Sequence, residues 1–153
     1  MIVVGGIYHH DAFYAAPETG ELLGKYLLVL ALPRRNDIVF RVLTSRHASH
    51  RPPGCHHGDP YPGFALGAPG GELAKPTWVD LRAQDDYDID VFRGRLGKGA
   101  IRWLMRLDAG PLRAAMACAA AADDTSNHQA RCIRDAMAEL VGGGMGGMGD
   151  MDF

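Results

Sequence analysis

The stretch GKYLLVLALPRRNDIVFRVLTSRH, residues 24 to 47, limits most sharply what this chain can become. Two runs rich in aliphatic and β-branched residues, 25 to 32 and 37 to 44, flank PRRND, where Pro33 and Asn36 suit a tight turn. Together they predict an antiparallel hairpin. In the second run Ile38, Phe40 and Val42 alternate with Val39, Arg41 and Leu43, the period of a strand with one face buried and the other partly open. Antiparallel neighbours run in opposite directions, so Lys25, at the start of the first strand, should stand beside Thr44 and Ser45, at the end of the second. A cation and two hydroxyls then share one edge of a sheet, with Arg46 and His47 just beyond.

Further strands are predicted at 2 to 8 and 77 to 81, with weaker candidates at 64 to 67 and 89 to 96. A sheet of this size is expected to curl into a small barrel or half-barrel. From Ser45 to Pro76 the composition turns to Pro, Gly and His, which predicts a long loop of the kind that often carries function. After Gly97 the pattern reads as helical: AIRWLMRL, then GPLRAAMACAAAA, then TSNHQARCIRDAMAELV. In the last of these Ala130, Ile133, Met137, Leu140 and Val141 share a face, Asp124 or Thr125 can cap the start, and Gly142 should end it. The expectation is one domain over residues 1 to 141, mainly β with α. Its β part covers about 1 to 96 and its helices about 98 to 141, and the Gly/Met-rich tail from 142 to 153 is read as disordered.

A chain of 153 residues suits a single core, and a formal charge of −2 leaves any anion-binding surface to local clusters of Arg, Lys and His. The N-terminus lacks the basic and long apolar regions of a secretory signal, which suggests a cytoplasmic location. Cys55, Cys118 and Cys132 are odd in number and widely spaced, a pattern that fits reduced thiols better than a disulfide framework. Cys118 and Cys132 read as small core residues of Ala-rich helices. The longest run of small residues, AAMACAAAA, is too short for a membrane span.

Phosphate loops, nucleophile elbows, His-Glu-x-x-His and dinucleotide-binding glycine patterns are all missing. The hairpin carries the one informative pattern. Gly24-Lys25 opens an apolar strand, a basic turn follows, the next strand ends in Leu43-Thr44-Ser45, and Pro76-Thr77-Trp78-Val79-Asp80-Leu81 forms a later strand. Over roughly residues 1 to 96 this order resembles the PemK/MazF family of toxin ribonucleases. The resemblance implies an SH3-like small barrel, usually a homodimer, that cuts single-stranded RNA without a metal or other cofactor and is neutralised by a cognate antitoxin protein. It places Lys25 where the family has a catalytic Arg and Thr44 where it has a catalytic hydroxyl. Tyr26 stands where the family has Pro, and an ammonium grips phosphate at a single point where guanidinium would grip it twice.

RNA cleavage by its own 2′-hydroxyl needs that proton removed, charge stabilised on the phosphorane, and the leaving oxygen protonated. Lys25 is then the charge stabiliser, Thr44 and Ser45 are hydrogen-bond donors to the phosphate, and Arg46 or His47 assists. Arg34, Arg35, Arg41 and His9 are candidate RNA contacts, and Phe13, Tyr14 and Tyr61 could stack unpaired bases. Two other readings stay open. One is a module of the same fold that binds RNA or protein without cutting. The other is a zinc-binding protein or metal-dependent hydrolase using His47, His50, Cys55, His56 and His57, whose spacing matches no standard ligand knuckle. Asp85, Asp86, Asp88 and Asp90 read as an acidic turn.

Overall fold

The computed structural model describes residues 1–33, 37–45 and 54–145, the last five by backbone alone. Arg34, Arg35, Arg46, His47, His50 and the tail beyond Met145 lie outside the described residues. The elements are β1 (Gly6–Ala15), β2 (Leu22–Ala31), β3 (Asp37–Thr44), β4 (Cys55–His56), β5 (Gly63–Gly67), β6 (Thr77–Asp80), β7 (Tyr87–Asp88), α1 (Ile89–Lys98), β8 (Ile101–Arg106), α2 (Ala109–Ala121) and α3 (Asn127–Met145). All strand pairs are antiparallel, in the order β4-β5-β6-β3-β2-β1-β8, with β7 pairing the start of β3. The sheet is open, with β4 at one edge and β8 at the other. The chain is thus mainly β, with three helices and a largely helical C-terminal part.

The hairpin forms as its sequence predicts, with Tyr26 opposite Leu43 and Leu28 opposite Arg41. The expectation of a partly open face on β3 is corrected, because six consecutive residues from Ile38 to Leu43 are buried. One face, with Ile7, Leu28, Val39, Leu43 and Val79, packs under Leu112, Met116 and Ile133 from α2 and α3. The other, with Tyr8, Leu27, Val29, Phe40 and Val42, packs under Phe92 of α1. Helices on both faces make three layers, which a chain this short achieves by sending α1 to one side and the α2–α3 pair to the other.

Residues 89 to 106 exchange their expected states. The 89–96 segment is helix because Asp88 caps it, its Oδ1 accepting from the backbone N–H groups of Asp90 and Val91 at 2.8 and 3.0 Å, and Gly99 ends it at φ 82°. The 101–106 segment is a strand that pairs with β1, Arg102 lying opposite His9. The region expected as a helical third therefore begins with the outer strand of the sheet. Replacing Asp88 with Ala should cost about 1 kcal/mol, the usual value of an N-cap, read as a lower urea midpoint at unchanged slope.

Two smaller expectations are also revised. The 45–76 region is not loop throughout: the weaker strand candidate at 64 to 67 forms as β5 and pairs with β4, Cys55 lying opposite Phe64. The last helix is capped by Ser126, whose Oγ accepts from the Gln129 N–H at 3.1 Å, and it continues past Gly142 to Met145. No helix among the described residues is long and apolar enough to cross a membrane.

Candidate functional site

Antiparallel pairing brings Lys25 and Thr44 to one end of the hairpin, each one residue beyond the Tyr26–Leu43 pair. From there their surroundings diverge. Thr44 and Ser45 line a cleft of about 280 Å³ together with Tyr26, Glu72 and Lys75. Its far wall is the 70–77 segment, closed by paired hydrogen bonds between Gly70 and Leu73 and anchored by the buried Leu73 side chain. Thr77 Oγ1 donates to the Lys75 carbonyl at 2.9 Å, fixing the backbone from which the Lys75 side chain leaves. Lys25 points elsewhere: its Nζ stands 5.3 Å from the centre of the Tyr14 ring. Lys75 is the cation of the cleft that holds the two hydroxyls.

The rim of the cleft is organised by Glu72. Its carboxylate takes two N–H groups of Arg102, at 2.5 and 2.7 Å, and the Tyr26 hydroxyl at 3.0 Å. The Arg102 hydrogen bonds hold the Glu72 carboxyl down at about 2, so the clamp stays ionised at any pH near neutrality. His9, opposite Tyr26 in the sheet, packs edge-on against that ring at 4.8 Å, and its Nδ1 meets Asp11 Oδ1 at 2.9 Å. Gly24 makes this placement possible, because a Cβ there would stand 2.8 Å from His9 Nε2. The imidazole is thus held at Nδ1 by a carboxylate, an arrangement that orients a general base.

The other expected contacts scatter. Arg41 is corrected outright: it is 0% exposed and faces α3, so it presents nothing to a ligand. One terminal nitrogen donates to the Phe40 carbonyl at 2.7 Å and the other to Gln129 Oε1 at 2.7 Å and Thr125 Oγ1 at 3.4 Å. Burial lowers its pKa, which the charges of Asp86, Asp80 and Asp124 oppose. Phe13 is half-buried between His10 and Phe40, and Tyr61 lies 3.9 Å beneath the Arg82 guanidinium. Tyr14, 39% exposed, is the most open of the three aromatic candidates. Arg34, Arg35, Arg46 and His47 lie outside the described residues. Of the acidic run, Asp86 accepts from Gln129, Asp88 caps α1 and Asp90 pairs with Arg93.

The reduced-thiol expectation is overturned at two of the three cysteines. Cys55 of β4 and Cys118 of α2 form a disulfide across 63 residues, while Cys132 is free. Packing of α2 against β4 and β5 brings them together. His57 Nε2 lies 3.3 Å from Cys55 Sγ, 3.4 Å from Cys118 Sγ and 3.0 Å from the Cys118 carbonyl oxygen. His56 turns away, its Nε2 meeting the Asp59 carbonyl at 2.7 Å.

Lys75, Glu72, Arg102 and Asp11 are site residues outside the sequence-based expectation. Lys75 carried a usable signal, since Lys75-Pro76 before the TWVDL strand places a cation at a strand start by the same logic applied to Lys25. Arg102 was hidden because its segment read as helix.

His10 is buried beneath the hairpin end, its Nε2 2.8 Å from the Tyr87 hydroxyl, which also accepts from Arg95. Burial, and then the Arg95 charge, lowers its pKa. The unfolded chain therefore binds a proton near the ordinary value of about 6.5 while the folded chain does not. Stability is full above that value and declines as the pH falls through it toward the folded-state value below. Thermal midpoints at neutral and mildly acidic pH should show this slope in the native protein and a flatter one in His10→Gln.

Comparison with protein-family models, curated proteins and solved structures finds no match for this chain.

Proposed function

We propose that the chain is a toxin-type endoribonuclease that cleaves single-stranded RNA in the cleft between the β2–β3 hairpin end and the 70–77 segment. The observation that supports this reading is the gathering of Thr44, Ser45 and Lys75 around one cleft, walled by a tyrosine against which an imidazole packs. In this reading Lys75 and the two hydroxyls stabilise the phosphorane charge. His9, oriented by Asp11, takes the 2′-hydroxyl proton. Lys25 and Tyr14 form a cation and an aromatic surface nearby along which the strand can run. The SH3-like barrel, the homodimer and the masking antitoxin belong to the same proposal, with the antiparallel strands β5-β6-β3-β2-β1 as those such a barrel would use.

A second reading, binding of RNA without cleavage, is favoured by one feature. Among the described residues Lys75 is the only cation lining the cleft, and the nearby Arg102 lies outside that lining and is held by Glu72 through two hydrogen bonds. Incubation with unstructured RNA in excess chelator separates the two. Products ending in a cyclic phosphate support cleavage, and retardation on a gel without products supports binding alone. Intact, unretarded RNA removes both readings, and cleavage that appears only with added metal moves the chemistry out of this cleft.

A further inference from the structure

The geometry points to a second site, independent of the RNA reading: in the reduced protein Cys55, His57 and Cys118 bind a soft divalent metal ion such as zinc. Their ligand atoms all lie within 4.8 Å of one another. A disulfide that only staples β4 to α2 has no need of an imidazole. Here one imidazole nitrogen faces both sulfurs at 3.3 and 3.4 Å. Tetrahedral ligands on bonds of about 2.3 Å to sulfur stand about 3.7 Å apart, so the nitrogen already sits close to its required distance from each sulfur. The sulfurs have to separate once they are no longer bonded. Cys55, exposed on a two-residue strand, can make that movement, whereas Cys118 is fixed within α2.

A dithiol delivers two electrons to the disulfide, is itself oxidised to its disulfide, and leaves two thiols on the protein. The incoming dication displaces both thiol protons and is bound by two thiolates and a neutral imidazole, giving a site of no net charge against the half-buried helix. His57 now donates its Nε2 hydrogen to the Cys118 carbonyl at 3.0 Å. Binding through Nε2 requires the other tautomer, with the hydrogen on Nδ1. Two thiolates and an imidazole are a zinc or copper(I) set rather than a magnesium or calcium set. No fourth Cys, His or carboxylate joins the cluster among the described residues, so the fourth position falls to water.

The test is cobalt(II) titration of the full chain, once reduced with a phosphine under argon and once oxidised. The expected result is one equivalent of cobalt taken up by the reduced protein alone, with thiolate-to-cobalt charge transfer and the intense visible bands of a tetrahedral site. His57→Ala should weaken that binding by at least about tenfold, and His56→Ala should leave it unchanged. Because Cys118 is buried and its loss could disturb folding, the two exposed or half-exposed histidines carry the comparison. Circular dichroism of each variant confirms that the fold is retained. The proposal is overturned if reduced protein gives no cobalt spectrum, if oxidised protein binds equally well, or if the two histidine variants behave alike.

Discussion

Thr44→Val and Lys75→Met should each slow RNA cleavage by on the order of 10²-fold, the usual cost of removing one group that stabilises transition-state charge. Valine keeps the branched shape of Thr44 at the end of β3 and removes only the hydroxyl. Methionine keeps most of the Lys75 stem and removes the charge, on a residue exposed enough that folding should be unaffected. The measurement is single-turnover cleavage of an unstructured RNA in chelator, with binding followed separately. Lys25→Met should cost less, because the Lys25 ammonium sits over the Tyr14 ring and outside the lining of the cleft. Full rates in both the Thr44 and the Lys75 variants would remove this cleft from the chemistry.

Arg41→Ala should destabilise the protein by about 3 to 5 kcal/mol, the cost of leaving a buried charged network without one partner. The guanidinium is 0% exposed and ties β3 to the start of α3 through Gln129 and Thr125. Gln129 in turn donates to Asp86 and to the Gln84 carbonyl, at 2.5 and 2.9 Å. Removing Arg41 therefore leaves polar groups and a carboxylate facing a cavity that alanine cannot fill. In urea the midpoint should fall at unchanged slope, and the thermal midpoint should drop by roughly 10 °C for a chain of this size. Arg93→Ala is the control: that guanidinium pairs with Asp90 at 3.7 Å with both side chains exposed, 64% and 80%, so its loss should cost about 1 kcal/mol or less. Equal losses in the two variants would show that burial of Arg41 is not what matters.

Where local pattern decides structure, the chain was readable. The 37–44 strand, the hairpin and the TWVDL strand follow from β-branched runs bounded by turn residues, and the Ala-rich α2 follows from its composition. The exchange between 89–96 and 101–106 has a local cause. IDVF and IRWLMR are both short apolar runs, and for such runs the caps decide; Asp88 and Gly99 bracket the first as a helix, leaving the second to alternate as a strand. The buried state of Arg41 depended on tertiary packing alone, since period-two alternation marked its face as open and only the arrival of α3 closed it. The Cys55–Cys118 bond was equally invisible, because its partners are brought together by the docking of α2 and not by any local spacing. At the candidate site, Thr44 and Ser45 were found through strand direction, whereas Lys75 and Arg102 come from segments distant along the chain.

With helices roofing both broad surfaces of the sheet, its two rims are where unsatisfied backbone amides remain. The β4 rim is two residues long, too little to template a foreign strand. The β8 rim is six residues long and carries the 40%-exposed Trp103, with Arg102 beside it and Arg106 at the strand's end. Arg106, at the end of that strand, supplies the charge that keeps one molecule's border from zipping onto another's, whereas the Arg102 charge is already matched by Glu72.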